Sequence, residues 1–126
     1  MKTLATNKKA YFEYTILETL EVGIVLDGNE VKSIKNNQVK LQGAYAVVSD
    51  GKLILINCHI SAYKFGYAGA VSDPLRNRIL LIHKMELSKL VGKMQQRGFV
   101  ILPLKIYYNA RGYIKLEIGL GKILLI

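Results

Sequence analysis

The chain has 126 residues, of which 51% are hydrophobic and 21% are charged, and it contains only two prolines. This length and composition are typical of one globular domain with its own core, and they exclude a disordered segment. Lys and Arg number 18 against nine Asp and Glu, which gives a formal net charge of +9. A small domain this basic most often binds a polyanion such as RNA or DNA.

The positive charge is concentrated in the second half of the chain. Residues 1–63 carry seven Lys and six acidic residues, a net charge of +1, whereas residues 64–126 carry eleven basic and three acidic residues, a net charge of +8. A positive charge also keeps an apolar domain soluble, so charge alone leaves that explanation open. Because the excess lies in one half, nucleic-acid binding is the better interpretation.

The sequence argues against disulfides, zinc and membrane insertion. Cys58 has no partner for an intrachain disulfide, and one cysteine with two histidines cannot complete a four-ligand zinc site. No segment approaches the about 20 apolar residues that span a bilayer, and the N-terminus lacks the apolar segment of a signal peptide. We therefore expect a cytoplasmic protein that needs no cofactor and binds no membrane.

Short apolar segments interrupted by Gly, Asn and Asp predict strands along most of the chain. Residues 11–20 and 22–26 predict two strands that meet at a bend or bulge near Glu21 and Gly23. Residues 45–60 predict a hairpin, because Asp50-Gly51 accepts the positive φ values of a type I′ turn. Residues 77–82 predict a further short strand.

Residues 99–108 and 113–120 predict a second hairpin. Apolar and polar residues alternate in its second strand, so one face is expected to be buried and the other hydrated. Pro103 cannot donate a hydrogen bond to a neighbouring strand, which places it at an edge or a bulge. Tyr107 and Tyr108 point to opposite faces, so at most one can be a stacking platform for a base.

Two helices interrupt the strands. In residues 84–97 the apolar residues recur at helical spacing and form one stripe, with Gly98 as a suitable stop. Residues 29–35 predict a second, short helix. Six or seven antiparallel strands with one to three flanking helices predict a mainly β fold, a small OB-like barrel. We expect a single domain over residues 1–126, with a basic arm at 1–10, the barrel at 11–122 and an apolar end at 123–126.

Catalytic motifs are weak. Cys58 and His59 are adjacent, but neighbours on a strand point to opposite faces and cannot act together as nucleophile and base. His59 and His83 are better explained as packed or capping residues. The acidic residues form no cluster with metal-ligand spacing. We therefore expect a protein that is not an enzyme and has no small-molecule substrate.

Basic residues provide better candidates for binding. Arg76 and Arg78 project to one side of an extended segment, where two guanidinium groups can bind adjacent phosphates. Lys32 and Lys35 share a face of the short predicted helix. The segment Asn7-Lys8-Lys9 is either a short RNA-binding arm or a frayed tail.

Four segments carry a more specific pattern: Asn7-Lys8-Lys9-Ala10 with Tyr14; Glu21-Val22-Gly23-Ile24-Val25-Leu26 through Ile34; Asp73-Pro74-Leu75-Arg76-Asn77-Arg78 through Leu87; and Pro103-Leu104-Lys105-Ile106-Tyr107 through Gly119. Together and in this order they resemble the SsrA-binding protein family, also called small protein B. That family is the partner of transfer-messenger RNA in bacterial ribosome rescue. The resemblance covers nearly the whole chain and implies an OB-like barrel with flanking helices.

The resemblance also implies RNA-binding residues. Those that match family positions are Asn7, Lys8, Lys9, Glu21, Leu81 and Lys115. Lys32, Arg76 and Arg78 are added on charge grounds, and Lys122 lies in the family's Gly-Lys step. Glu21 can only accept hydrogen bonds, so it would select the RNA rather than attract it. Leu81 is equally well explained as a core residue.

The chain departs from the family in two places. Members continue past the last strand into a long basic tail, whereas here Lys122 is followed by the apolar residues 123–126. A truncated piece, a frameshifted or degenerate gene, or a lineage that lost the tail would each explain this end. Ile79 stands where the family usually has a basic residue.

We expect the chain to bind the tRNA-like domain of transfer-messenger RNA and to reach the ribosome through that RNA. Since the tail is absent, we expect RNA binding without peptide tagging. One alternative is a general OB-fold binder of single-stranded RNA or DNA, although the chain has no tryptophan and no dense aromatic run. Another is a folded, inactive remnant whose apolar end pairs with a partner or aggregates.

Overall fold

The computed structural model describes residues 2–62 and 73–124, which form nine strands and three helices. The helices are α1 (Lys8–Glu13), α2 (Gly28–Lys35) and α3 (Lys84–Met94). The strands are β1 (Lys2–Thr6), β2 (Tyr14–Ile24), β3 (Val39–Lys40), β4 (Tyr45–Ser49), β5 (Lys52–Ile56), β6 (His59–Ile60), β7 (Arg78–Leu81), β8 (Phe99–Tyr108) and β9 (Ile114–Ile123). The prediction of a mainly β fold with one to three helices is confirmed.

Seven strands form one antiparallel sheet in the order β1-β8-β4-β5-β7-β2-β9, and β8 also pairs with β9. Because β8 neighbours both β4 and β9, the pairings return on themselves and give an OB-like, barrel-like arrangement. The strands β3 and β6 form a separate two-stranded sheet. The longest ladders join β2 to β9 and β9 to β8, and these three strands carry the candidate site.

Two hydrophobic clusters lie on opposite faces of these three strands. Val22, Leu116 and Ile118 point into the main core, which is completed by Ile34 of α2 and Leu90 of α3. A smaller cluster on the other face holds α1 on the sheet; its buried members are Ala10, Leu102 and Leu104. The small cluster therefore fixes α1 outside the barrel, on the sheet face that points away from the main core.

The N-terminal prediction is wrong. The expected basic arm at 1–10 contains a strand, β1, that pairs with β8, followed by a helix, and the expected strand at 11–20 begins only at Tyr14. Asn7 caps α1 by accepting a hydrogen bond from the backbone N–H of Ala10, at 3.3 Å. This local cap and the burial of Ala10 override the strand preference of the aromatic residues that follow. Asn7 also turns the chain from strand to helix.

The hairpin and bulge predictions are largely confirmed. Asp50 and Gly51 both have positive φ, 51° and 71°, as the type I′ turn requires. The strand after that turn ends at Ile56, because Asn57 adopts a φ of 63°. Pro103 lies at a register shift in the β8–β9 ladder. The bend expected near Glu21 is wrong: β2 continues to Ile24, and its irregularity lies between residues 16 and 18.

Both predicted helices are present. α2 begins with a capping box in which the Asp27 carboxylate accepts the Glu30 N–H and the Glu30 carboxylate accepts the Asp27 N–H. In α3 the predicted stripe buries Leu90 and packs Leu87 and Met94 against the core. His83 is the N-cap residue of α3, but its side chain makes no capping hydrogen bond.

A methyl group added at Gly119 tests the packing of the small hydrophobic cluster that holds α1 on the sheet. A Cβ there would lie 2.6 Å from Leu104 Cδ1, and Leu104 is fully buried, so Gly119→Ala should destabilise the fold by about 1–3 kcal/mol. Gly92, in the interior of α3, has no heavy atom within 4 Å of an added Cβ, so Gly92→Ala should stabilise by about 0.5–1 kcal/mol. Urea unfolding of both variants checks this; equal midpoints would contradict the packing of α1.

Candidate nucleic-acid interface

Polar side chains cluster on the face of β2, β9 and β8 that points away from the main core. We call this cluster the outer patch; it consists of Glu21, Lys105, Tyr107, Lys115 and Glu117. Val22, Ile106 and Leu116 point into the core, so their neighbours along each strand point outward. Strand alternation therefore collects two acids, two bases and a tyrosine on one surface.

The strand register sets these residues side by side in two rows. One row is Lys105, Glu117 and Glu21, and the other is Tyr107, Lys115 and Gly23. Directly opposed side chains in antiparallel strands have Cβ atoms about 4.5–5.5 Å apart, close enough to interact. Glu117 thus lies beside Lys105, whereas Glu21 lies beside Glu117 and only diagonally from Lys115.

Glu21 is held in place although another carboxylate opposes it. Like charges directly opposite each other, here Glu21 and Glu117, destabilise a sheet. The hydroxyl of Tyr107, a residue that is buried as a whole, donates a hydrogen bond to Glu21 Oε2. Burial and this hydrogen bond raise the pKa of Tyr107 above its usual value near 10, so the hydroxyl keeps its proton at neutral pH. Glu21 itself is exposed and presents an acceptor to the solvent.

A cavity of about 390 Å³ opens beside the outer patch. Its walls include Glu21, Lys115, Leu81 and the start of α3 at His83 and Glu86. Leu81 is 58% exposed, so its interpretation as a core residue is wrong. The cavity combines two carboxylates, one ammonium group, one imidazole and the exposed apolar side chain of Leu81.

A second groove, of about 460 Å³, lies between α1 and the turn after β3. We call it the α1 groove; Lys9 of α1 lines it together with Lys40 and Gln42. Ala10 of α1 packs in the small cluster with Leu104, and Leu104 lies against Gly119, which is two residues along β9 from Glu117, a distance of about 7 Å. The α1 groove and the outer patch therefore lie on the same side of the sheet.

Asn7 is a structural residue in this arrangement. It is 4% exposed, its Nδ2 donates to the Pro103 carbonyl at 2.9 Å, and its Oδ1 caps α1. The expectation that Asn7 contacts RNA needs correction, because its polar atoms are already occupied inside the protein. Lys8 and Lys9 are exposed on α1, and Lys9 forms a 3.4 Å ion pair with Glu13. Asn7 thus fixes the start of α1, the helix that carries these two lysines.

The expectation for Arg78 also needs correction, because its guanidinium group turns inward to Glu30 and is fully buried. Arg78 is buried: Nε donates to Glu30 at 2.6 Å, Nη1 to the Cys58 carbonyl at 2.7 Å and Nη2 to the Pro74 carbonyl at 3.1 Å. Its donors are therefore unavailable to a phosphate. Arg76 also pairs with Glu30, but about a third of its side chain stays exposed.

Two further candidates lie away from the outer patch. Lys32 is exposed on α2, which is anchored through Glu30 to the start of β7. Lys122 lies seven residues along β9 from Lys115, about 23 Å away, with Nζ 5.8 Å from the centre of the Phe99 ring. The structure thus unites Glu21, Leu81 and Lys115 around one cavity and adds Lys8 and Lys9 on the same side.

The sequence interpretation missed Lys40, Lys105, Glu117 and the role of Tyr107. Alternation in β9 already placed Lys115 and Glu117 on one hydrated face. The partner strands could not be aligned without the register shift after Pro103. Neither tyrosine is an exposed stacking platform: Tyr107 is buried, and Tyr108 packs against the main core. Aromatic stacking is therefore absent from this pair.

Neither a metal-binding cluster nor a reactive thiol is present in the described part of the chain. Residues 2–62 and 73–124 contain no group of three or more His, Cys, Asp or Glu residues able to hold a metal ion. Cys58 is buried, and burial raises the pKa of its thiol to about 11, which keeps it protonated and unreactive at neutral pH. Among the same residues, no helix is long and apolar enough to cross a bilayer.

Comparison with known proteins gives one consistent match. A family model described as SmpB protein matches residues 4–123. SsrA-binding protein of Caldicellulosiruptor saccharolyticus is 48% identical, with 97% of this chain and 76% of the relative covered. SsrA-binding protein of Ralstonia nicotianae is 46% identical (95% and 80% covered), and that of Thermosipho africanus is 43% identical (97% and 81% covered).

A solved structure has the same fold and a similar sequence. It is described as "tmRNA-SmpB: a journey to the center of the bacterial ribosome", and one of its chains superimposes with a TM-score of 0.79 at 45% identity. The match covers 97% of this chain and 84% of that chain. The likeness therefore extends over nearly the whole chain.

Proposed function

The chain belongs to the SmpB protein family, and we propose on that basis that it binds the tRNA-like domain of transfer-messenger RNA and helps to deliver it to stalled ribosomes. The observation that carries the proposal is the placement of Glu21, Leu81, Lys115 and the lysines of α1 on one side of the sheet. In this role the protein works in the cytoplasm, as a binding protein and not as an enzyme.

The chemistry of the outer patch, together with Leu81 and the lysines of α1, fits a folded RNA. Lys115, Lys8 and Lys9 supply the cationic contacts to phosphates that give most of the affinity. Glu21 accepts hydrogen bonds from base amino groups or from a 2′-hydroxyl, which single out one RNA surface. Leu81 gives an apolar contact for a base or ribose. Attraction and selection are thus divided between different side chains.

Competition gel shifts test this proposal. The 126-residue chain should bind the tRNA-like domain of transfer-messenger RNA well below the concentration at which it binds an unstructured oligonucleotide of the same length. Preference for the folded RNA at 150 mM salt is the expected result. Equal affinity for both RNAs would overturn the proposal and favour the general single-strand binder, which stacks bases without reading a fold.

Lys40 is predicted to extend the RNA contact into the α1 groove. Lys40 lines that groove together with Lys9. Lys40→Ala should lower the affinity for every RNA and reduce the slope of log affinity against log salt by about 0.7–0.9, the contribution of one phosphate contact. Lys52→Ala, a matched loss of one exposed charge at the Asp50-Gly51 hairpin, should leave the slope unchanged. Equal slopes in the two variants would remove the α1 groove from the interface.

A further inference from the structure

We propose that Tyr107 is a positioning residue for RNA recognition: its hydroxyl holds the Glu21 carboxylate in the orientation in which the RNA is read. The inference rests on the proposed function, because it assigns Glu21 an RNA partner. Tyr107 itself does not touch the RNA. It acts through Glu21 from beneath the surface.

The geometry separates the two residues by exposure. Glu21 is exposed on β2, whereas Tyr107 is 5% exposed on β8, two strands away across β9. The Tyr107 hydroxyl crosses over β9 to donate to Glu21 Oε2. A buried aromatic ring has few alternative rotamers, so it fixes its hydroxyl group more firmly than an exposed side chain would.

The two oxygens of the Glu21 carboxylate have different roles. Oε2 is occupied by Tyr107, and within the described residues Oε1 makes no hydrogen bond to the protein. Oε1 is therefore the acceptor left for an amino group or 2′-hydroxyl of the RNA. The raised pKa of Tyr107 is consistent with this arrangement, because the hydroxyl remains a donor throughout the physiological range.

The charges around Glu21 explain why it needs a positioning residue. Glu117 lies directly opposite on β9 and repels the Glu21 carboxylate, while Lys115 attracts it from the next row. Without the Tyr107 hydroxyl, an exposed glutamate would rotate among several rotamers. Binding of RNA would then fix Glu21 in one rotamer, and the loss of side-chain entropy would lower the affinity.

Tyr107→Phe tests the proposal, because it removes one hydroxyl and keeps the ring. Affinity for the tRNA-like domain should fall about 3- to 10-fold, the cost of ordering one side chain on binding. Affinity for an unstructured oligonucleotide and the salt slope should stay unchanged, since no charge is lost. The matched control is Tyr108→Phe, which removes a hydroxyl from the neighbouring residue on the core side and should change neither affinity.

A double-mutant cycle separates positioning from a merely structural role. In a Glu21→Ala background, Tyr107→Phe should cause no further loss of affinity for the tRNA-like domain. Fully additive losses would overturn the proposal, and so would wild-type affinity in Tyr107→Phe. If wild type shows no preference for the tRNA-like domain, the proposed function fails and not this inference alone.

A second variant guards against unfolding of Tyr107→Phe, which thermal melting would reveal. Glu21→Asp shortens the carboxylate so that it cannot both reach Tyr107 and keep its place in the patch. It should lose as much affinity for the tRNA-like domain as Glu21→Ala. Wild-type affinity in Glu21→Asp would show that the position of the carboxylate does not matter, and would overturn the proposal.

Discussion

Replacing Glu30 with alanine should lower the free energy of unfolding by about 3–5 kcal/mol, the cost of breaking a buried ion pair by removing one partner. Glu30 is 2% exposed and binds the fully buried guanidinium of Arg78. Its removal leaves that charge in the core without a counter-ion. It also removes the acceptor for the Asp27 N–H at the start of α2. Urea unfolding followed by circular dichroism measures the loss.

The exposed ion pair between Glu18 and Lys93 supplies the control. Both side chains are 40% or more exposed, so Lys93→Ala should cost less than about 1 kcal/mol. Arg78→Ala should lower the free energy of unfolding by a similar amount, because it leaves the buried Glu30 carboxylate without the Arg78 guanidinium. If Glu30→Ala and Lys93→Ala were equally stable, the Glu30–Arg78 pair would not be the buried anchor that the structure indicates.

The contacts of Glu30 show which features of the fold can be predicted from the sequence. The capping box at Asp27 and Glu30 spans three residues and is a local signal. The ion pair joins Glu30 to Arg78, which lies 48 positions away in the sequence. No local sequence pattern predicts such a pairing. A charged residue in a β-strand therefore looks like a surface residue until its partner is known, which is why Arg78 was predicted to contact RNA.

The same distinction applies to the strands. Hairpins with short turns, such as β4–β5 and β8–β9, follow from alternation and turn residues, and both were predicted. Pairings between distant segments, such as β1 with β8, depend on tertiary packing. α1 was missed for a related reason: its six residues are too few to show helical periodicity, and its aromatic residues favour strands.

Individual residues of the candidate site could be predicted from the sequence, but their arrangement on one surface could not. Alternation showed that Lys115 faces the solvent, and the family resemblance singled out Glu21 and Leu81. Their meeting at one cavity depends on the β2–β9 register, which has a shift near residue 17, and on the absence of a side chain at Gly23. Added there, a Cβ would lie 3.1 Å from Leu81 Cβ. Register and close packing are tertiary properties.

Replacing Glu21 with alanine should lower the affinity for the tRNA-like domain about tenfold or more, the value of one or two hydrogen bonds to a charged group. Affinity for unstructured RNA should stay the same or rise slightly, because a negative charge leaves a basic surface. The fold should survive: the Tyr107 hydroxyl loses its acceptor, but the repulsion from Glu117 is relieved at the same time. Gel shifts with both RNAs and thermal melting measure these three outcomes.

Two neighbours of Glu21 separate its selective role from simple electrostatics. Glu117→Ala removes the same charge from the adjacent strand, so any effect of charge alone would appear equally in both variants. Lys115→Ala should weaken binding to every RNA and reduce the salt slope by about 0.7–0.9. The ratio of affinities for folded and unstructured RNA should therefore fall in Glu21→Ala, and in neither of the other two. An equal fall in Glu117→Ala would mean that the patch senses net charge, and that Glu21 has no specific partner in the RNA.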